Sequence, residues 1–115
     1  MTRKVVITGM GVACPLGNSV DELVRRLRAN ESAIRLMPEW DHIKDLKGRI
    51  GGTVDGLDLQ TRYPRKTRRT MGRVALLATY ASEHAVEQAV LSEELITSGR
   101  TGIAYGTTSP ASQSM

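Results

Sequence analysis

The sequence predicts an α/β fold whose elements run strand, helix, irregular segment, helix, strand. Three observations carry this. A β-branched run, Lys4-Val5-Val6-Ile7-Thr8, ends at Gly9. Two later stretches, one after Ser19 and one over about 66–91, repeat their apolar residues at helical spacing. A second short apolar run, Arg100-Thr-Gly-Ile-Ala-Tyr-Gly106, again closes on a glycine. Strands separated by helices build sheets covered by helices. A chain of 115 residues is about one small domain, which buries roughly two-thirds of its unfolded surface.

The first strand leads into a loop holding Gly9, Gly11 and Gly17, with the chain's single cysteine, Cys14, among them. A dinucleotide loop needs G-x-G-x-x-G, but Cys14 stands where the third glycine belongs and the helix starts only after Ser19. A phosphate-cradling P-loop needs a lysine, which Gly17-Asn18-Ser19 lacks. The glycines are therefore expected to serve tight backbone turns, with Pro15 fixing the chain before the helix. No base neighbours Cys14 in sequence, so it reads as a small packed hydrophobe; activation by a residue distant in sequence stays open.

Ser19 and Glu22 form a capping-box pattern, and Val20, Leu23, Val24 and Leu27 share the face of a helix ending near Asn30. Residues 35–64, with Pro38, Gly48, Gly51, Gly52, Gly56 and Pro64, read as irregular, with a short strand over Arg49–Val54. The second helix is expected from Lys66 or Thr70 to Leu91. Its seam of Ala75, Ala78, Ala81, Ala85 and Ala89 allows neighbouring elements to approach closely. The polar tail, Thr107 to Met115, lies where an α/β fold places a functional loop and continues, so the chain is expected to be a piece of something longer.

Composition narrows the classes. With no Phe, one Trp and three Tyr, the core is expected to use Val, Ile, Leu, Met and Ala. No run reaches the ~18 apolar residues of a membrane span, and no signal peptide is visible. One cysteine cannot form an internal disulfide, which fits a reducing cytoplasm. His42 and His84 lack zinc-ligand spacing, so no metal is expected; His84, between Glu83 and Glu87, reads as part of a solvated helix face.

The net charge of +4 is concentrated in one place. Arg62, Arg65, Lys66, Arg68, Arg69 and Arg73 are six of the sixteen basic residues, and no acid lies among them. Lys66 and Arg69, Arg65 and Arg68, and Arg65 and Arg69 share helical faces. Such crowding suits a solvated surface, a nucleic acid or a negatively charged protein. From Arg65 to Arg73 no aromatic is interleaved with the charges, as single-stranded nucleic-acid binding favours, whereas rim charges steering an acidic protein fit.

Val5-Val6-Ile7-Thr8-Gly9-Met10-Gly11-Val12 with Pro15-Leu16-Gly17-Asn18 resembles the N-terminal signature of β-ketoacyl-[acyl-carrier-protein] synthases. Glu31-Ser32-Ala33-Ile34, Arg65-Lys66 with Arg69 and Met71, and Arg100-Thr101-Gly102-Ile103 with Gly106 match further family segments in order. The resemblance implies a thiolase-like fold, layered αβαβα in the full protein, of which residues 1–115 are an incomplete N-terminal portion of the synthase N-terminal domain. It implies a cytoplasmic, homodimeric acyltransferase of fatty-acid or polyketide-type biosynthesis. Such an enzyme condenses an acyl group with malonyl-carrier protein, needs no cofactor beyond the carrier's phosphopantetheine, and binds neither nucleic acid nor membrane.

The family's catalytic cysteine and two histidines fall beyond Met115, and Cys14, His42 and His84 do not match them. No catalytic residue is therefore expected within this chain. By the same resemblance Arg65, Lys66, Arg68 and Arg69 would contact acidic carrier protein, and Thr108 and Ser109 belong to a loop near the acyl pocket. Gly106-Thr107-Thr108-Ser109-Pro110 departs there from the family's G-S-G-x-G. Two other readings stand beside the synthase: a non-catalytic partner subunit of a heterodimeric ketosynthase, and a small nucleotide- or nucleic-acid-binding domain.

Overall fold

The computed structural model describes residues 2–108. The chain forms two compact units, one of Ala13–Leu57 and one of Met1–Val12 with Asp58–Met115.

The unit Ala13–Leu57 begins with a tight turn in which Cys14 and Gly17 exchange backbone hydrogen bonds of 3.1 and 3.0 Å. Helix α1 (Val20–Arg28) follows. Ser19 Oγ accepts the Glu22 amide at 3.2 Å, as its position predicts. The Glu22 carboxylate reaches back to the Asn18 amide at 3.2 Å, one residue earlier than in a standard capping box. At the other end Asn30 turns into the left-handed region, φ 55°. Its amide reaches Leu27 O and that of Glu31 reaches Arg26 O, both at 3.0 Å, which is a Schellman termination.

Strands β1 (Arg35–Leu36) and β2 (Ile50–Gly51) then pair antiparallel, with Leu36 opposite Ile50. A 3-10 turn, Pro38–Trp40, lies between them, and Met37, 3% exposed, is the buried apolar residue of this unit. The expected strand over Arg49–Val54 is thus present as Ile50–Gly51 alone.

The other unit carries α2 (Leu59–Arg62), α3 (Arg65–Arg68), α4 (Arg73–Gln88) and α5 (Glu93–Thr97). The sequence predicts one helix from Lys66 or Thr70 to Leu91; the structure divides it. Gly72 takes extended backbone, φ −71° and ψ 169°, and serves as the N-cap of α4, so the basic stretch becomes a separate short helix. Helix α4 ends early because Val90 swings to φ 53°. Its amide bonds Glu87 O at 3.1 Å and that of Leu91 bonds Val86 O at 3.3 Å, a second Schellman closure. Both α2 and α5, absent from the sequence reading, are capped by side chains, Asp58 and Ser92.

The N-terminal segment crosses α4 on its alanine seam. A Cβ on Gly9 would stand 2.1 Å from Ala85 O, and one on Gly11 1.7 Å from Ala81 O. The Met10 amide between them donates to Gln88 Oε1 at 2.7 Å. Gly9 and Gly11, expected to serve tight backbone turns, instead serve close packing, with alanine supplying the other half of the contact.

Two expectations are corrected here. Lys4–Thr8 and Arg100–Gly106 do not form strands; Val5 is 95% exposed and Ile103 81%. A strand exists only with a hydrogen-bonded neighbour, and among the described residues neither segment has one. The core is not purely aliphatic either. Leu59 is joined in it by Tyr63 and Tyr80, because a phenol buries a large ring while its hydroxyl still reaches a polar partner.

Candidate functional site

The basic segment is built by two short helices in succession. Asp58 starts α2: its carboxylate accepts from the amides of Gln60 at 3.2 Å and Thr61 at 3.1 Å, and from the Thr61 hydroxyl. These bonds, that of the Thr61 side chain foremost, hold the Asp58 carboxyl below its ordinary pKa. Leu59, 5% exposed, anchors the first turn. The helix stops at Tyr63, whose ψ of 131° is the extended backbone that a residue before proline adopts. Pro64 then opens α3.

A single carboxylate ties this segment to α4. Glu83 Oε2 accepts from Arg62 Nε at 3.2 Å and Nη2 at 2.9 Å, and from the Tyr63 hydroxyl at 2.9 Å. The Arg62 guanidinium lies 5.1 Å from the Tyr80 ring centroid and 5.9 Å from that of Tyr63, within cation–π range. Burial, and then the bond to Glu83, push the Tyr63 phenol above its usual pKa. The Glu83 bond likewise raises Arg62. Arg68 Nε turns back to donate to Tyr63 O at 2.8 Å.

The four cations singled out in sequence thus separate. Arg68 is half-buried and bonded to the backbone, whereas Arg65, Lys66 and Arg69 are exposed. Those three pair with no carboxylate among the described residues. The structure brings Arg65, Lys66 and Arg69 together on one short segment at the start of α4.

A second feature lies along α4. An apolar groove of about 310 Å³ is lined by Val74, Ala75, Ala78, Thr79, Tyr105, Gly106 and Thr107. Ser82 Oγ donates to Ala78 O at 2.7 Å and is free to accept from the Tyr105 hydroxyl, which it meets in a short contact. Thr108 is exposed and follows directly on the groove's lining; Ser109 lies outside the described residues.

The remaining singled-out residues are placed as follows. His42 is exposed. His84 lies only partly on the solvated face expected of it: its ring meets Tyr80 edge-on at 4.5 Å, Nδ1 lies 3.4 Å from Glu87, and Nε2 is buried without a partner among the described residues. Cys14 is half-buried, its thiol 3.4 Å from Gly17 O.

Residues 2–114 match the family model for the N-terminal domain of β-ketoacyl synthase. The chain belongs to the β-ketoacyl synthase family. It is 33% identical over 104 residues to 3-oxoacyl-[acyl-carrier-protein] synthase 1 of Haemophilus influenzae, covering 90% of this chain and 25% of that protein. It is 36% identical over 110 residues to nodulation protein E of Rhizobium leguminosarum bv. trifolii, covering 96% of this chain and 27% of the relative. A solved β-ketoacyl synthase from Burkholderia phymatum STM815 superposes with a TM-score of 0.81 at 41% identity, over 93% of this chain and 26% of that one. The fold is therefore the thiolase-like α/β fold of β-ketoacyl synthases. The chain spans about a quarter of the length of the curated relatives it matches.

Within this synthase domain, sequence reasoning passed over Asp58, Tyr63 and Glu83. Asp58-x-x-Thr61 is a legible cap and Tyr63-Pro64 a legible helix stop. Glu83 carried no signal, because its partners lie 20 and 21 residues away.

Proposed function

We propose that this chain is the opening portion of a 3-oxoacyl-[acyl-carrier-protein] synthase, and that Arg65, Lys66 and Arg69 receive its acidic carrier protein. The observation that carries the docking assignment is the exposure of three cations, without acid partners, on one short segment of a synthase domain. A like-charged cluster repels itself, and an anionic partner relieves that repulsion while its field speeds encounter.

In the whole protein an acyl group passes from the carrier's pantetheine sulfur to a cysteine outside this chain: one C–S bond breaks and another forms. Malonyl-carrier protein then loses CO2, its carbanion attacks the acyl carbonyl, and the cysteine thiolate leaves. The pantetheine arm arrives with the carrier, so the domain needs no cofactor of its own. Arg68, half-buried, serves the segment's shape. The groove beside Tyr105–Thr107 borders the acyl chain, and Thr108 and Ser109, next in sequence, belong to the same acyl-pocket loop. The working protein is a cytoplasmic homodimer of fatty-acid or polyketide-type biosynthesis; among the described residues, no helix is long and apolar enough to cross a membrane.

The test reverses Lys66 and Arg69 to Glu in the whole protein. KM for an acyl-carrier-protein substrate rises roughly tenfold and loses most of its salt dependence, with kcat unchanged. Unchanged kinetics would remove the assignment. A whole protein with no nucleophilic cysteine would instead be the partner subunit of a heterodimeric synthase.

A further inference from the structure

We infer that Glu83 is a positioning residue for carrier-protein docking, holding the cationic segment in its presenting geometry from outside it. The inference rests on the docking role proposed above for Arg65, Lys66 and Arg69.

Among the described residues none of those three side chains is held by an acid, and α3, with 4 residues, is too short to keep its shape alone. Its geometry must come from its flanks. On the N-terminal side the flank is Arg62-Tyr63, and both side chains end on one oxygen of Glu83, at 2.9 Å each. The carboxylate sits in the middle of α4, the longest helix described at 16 residues, so the segment is referred to a rigid element. Arg68 carries the constraint forward: its bond to Tyr63 O, 2.8 Å, closes α3 onto the residue that Glu83 holds. Arg62 stacked toward Tyr80 adds a second attachment to the same helix.

Charge-assisted bonds converging on one acceptor fix direction as well as distance. Releasing Glu83 leaves Lys66 and its neighbours charged and exposed but free to sample many orientations. A docking partner must then order them, and that cost appears in binding rather than in chemistry. Arg62, deprived of its acid, would also become a further mobile cation, which alters the field without restoring the geometry.

The experiment uses the whole protein with two acyl donors: acyl-carrier protein and an acyl-pantetheine thioester that lacks the protein. Glu83→Ala is expected to raise KM for the carrier-borne donor about tenfold while kcat and the KM for acyl-pantetheine stay within about twofold. Glu83→Gln, which keeps an acceptor of the same shape, should recover most of the loss. Tyr63→Phe, which leaves the Arg62 pair in place, should show a smaller rise of the same kind. An equal rise for both donors, or no rise in any of the three variants, overturns the inference. Should Glu83→Ala not fold, the ranking of Tyr63→Phe and Glu83→Gln against wild type decides by the same two-donor criterion. The Lys66 and Arg69 reversal runs beside them. If it raises the carrier KM while the Glu83 and Tyr63 variants do not, the docking role stands and Glu83 has no part in it. If the reversal itself changes nothing, the docking role falls and takes this inference with it.

Discussion

A side-chain carbon on Gly11 would stand 1.7 Å from the carbonyl oxygen of Ala81. The N-terminal segment therefore touches the backbone of α4 directly, and neither partner has a flexible atom to move aside. Gly11→Ala is expected to destabilise by at least the 1–3 kcal/mol or so typical of overpacking, and Gly9→Ala, facing Ala85 O at 2.1 Å, by a similar amount. Gly48→Ala, with no atom within 4 Å, should be neutral or slightly stabilising. Urea unfolding of the whole protein checks all three.

Val90 closes α4 at φ 53° with 87% of its surface exposed. A β-branched residue is strained there, and its exposure offers little burial in return. Val90→Gly should raise stability by about 1 kcal/mol, seen as a higher thermal midpoint. An unchanged or lower midpoint would mean that the valine is held by contacts outside the described residues.

The Asp58 cap makes part of the fold's stability depend on acid. Its carboxyl is held below the ordinary value, so the unfolded chain binds the proton more readily than the folded one. The contribution is complete above about pH 4 and fades as pH falls through the lowered value. Asp58→Asn should keep much of the cap and flatten that slope. Equal slopes for wild type and variant would show that Asp58 does not contribute.

Tyr63 behaves in the opposite sense. Its phenol is raised by burial and by Glu83, so the folded state keeps its proton longer than the unfolded one. That stability is complete below about pH 10 and is lost as pH climbs through the raised value. Tyr63→Phe removes the dependence, and alkaline unfolding curves of the two proteins should converge as pH rises.

Arg68 and Lys66 are neighbours in charge but not in role. Arg68→Ala loses the bond to Tyr63 O and should lower stability by about 1 kcal/mol. Lys66→Ala, at an exposed position, should leave the thermal midpoint within about 0.5 kcal/mol and, on the docking role proposed above, reduce the salt dependence of carrier binding. The same midpoint for both variants would contradict the distinction.

The parts legible in the sequence were those whose cause is local. Ser19 and Asn30 bracket α1 because a cap and a left-handed stop need only nearby atoms. The alanine seam announced close approach, although only the structure shows that Gly9 and Gly11 fill it. The division at Gly72 was harder to see, since helical spacing continued across it. Of the four cations grouped by proximity, Arg68 became half-buried because a backbone carbonyl was in reach, and linear spacing carries no information about that.

The sequence by itself determined the family, the turn before the first helix, that helix with both its ends, and the location of the excess charge. Tertiary structure alone decided that Val5–Ile7 and Ile103 remain exposed, that tyrosines share the core, and that Glu83 gathers Arg62 and Tyr63. The reason is physical. Caps and turns are set by atoms a few residues apart, whereas strand pairing, burial and convergent hydrogen bonds depend on which distant segments the chain brings within a few ångströms of each other.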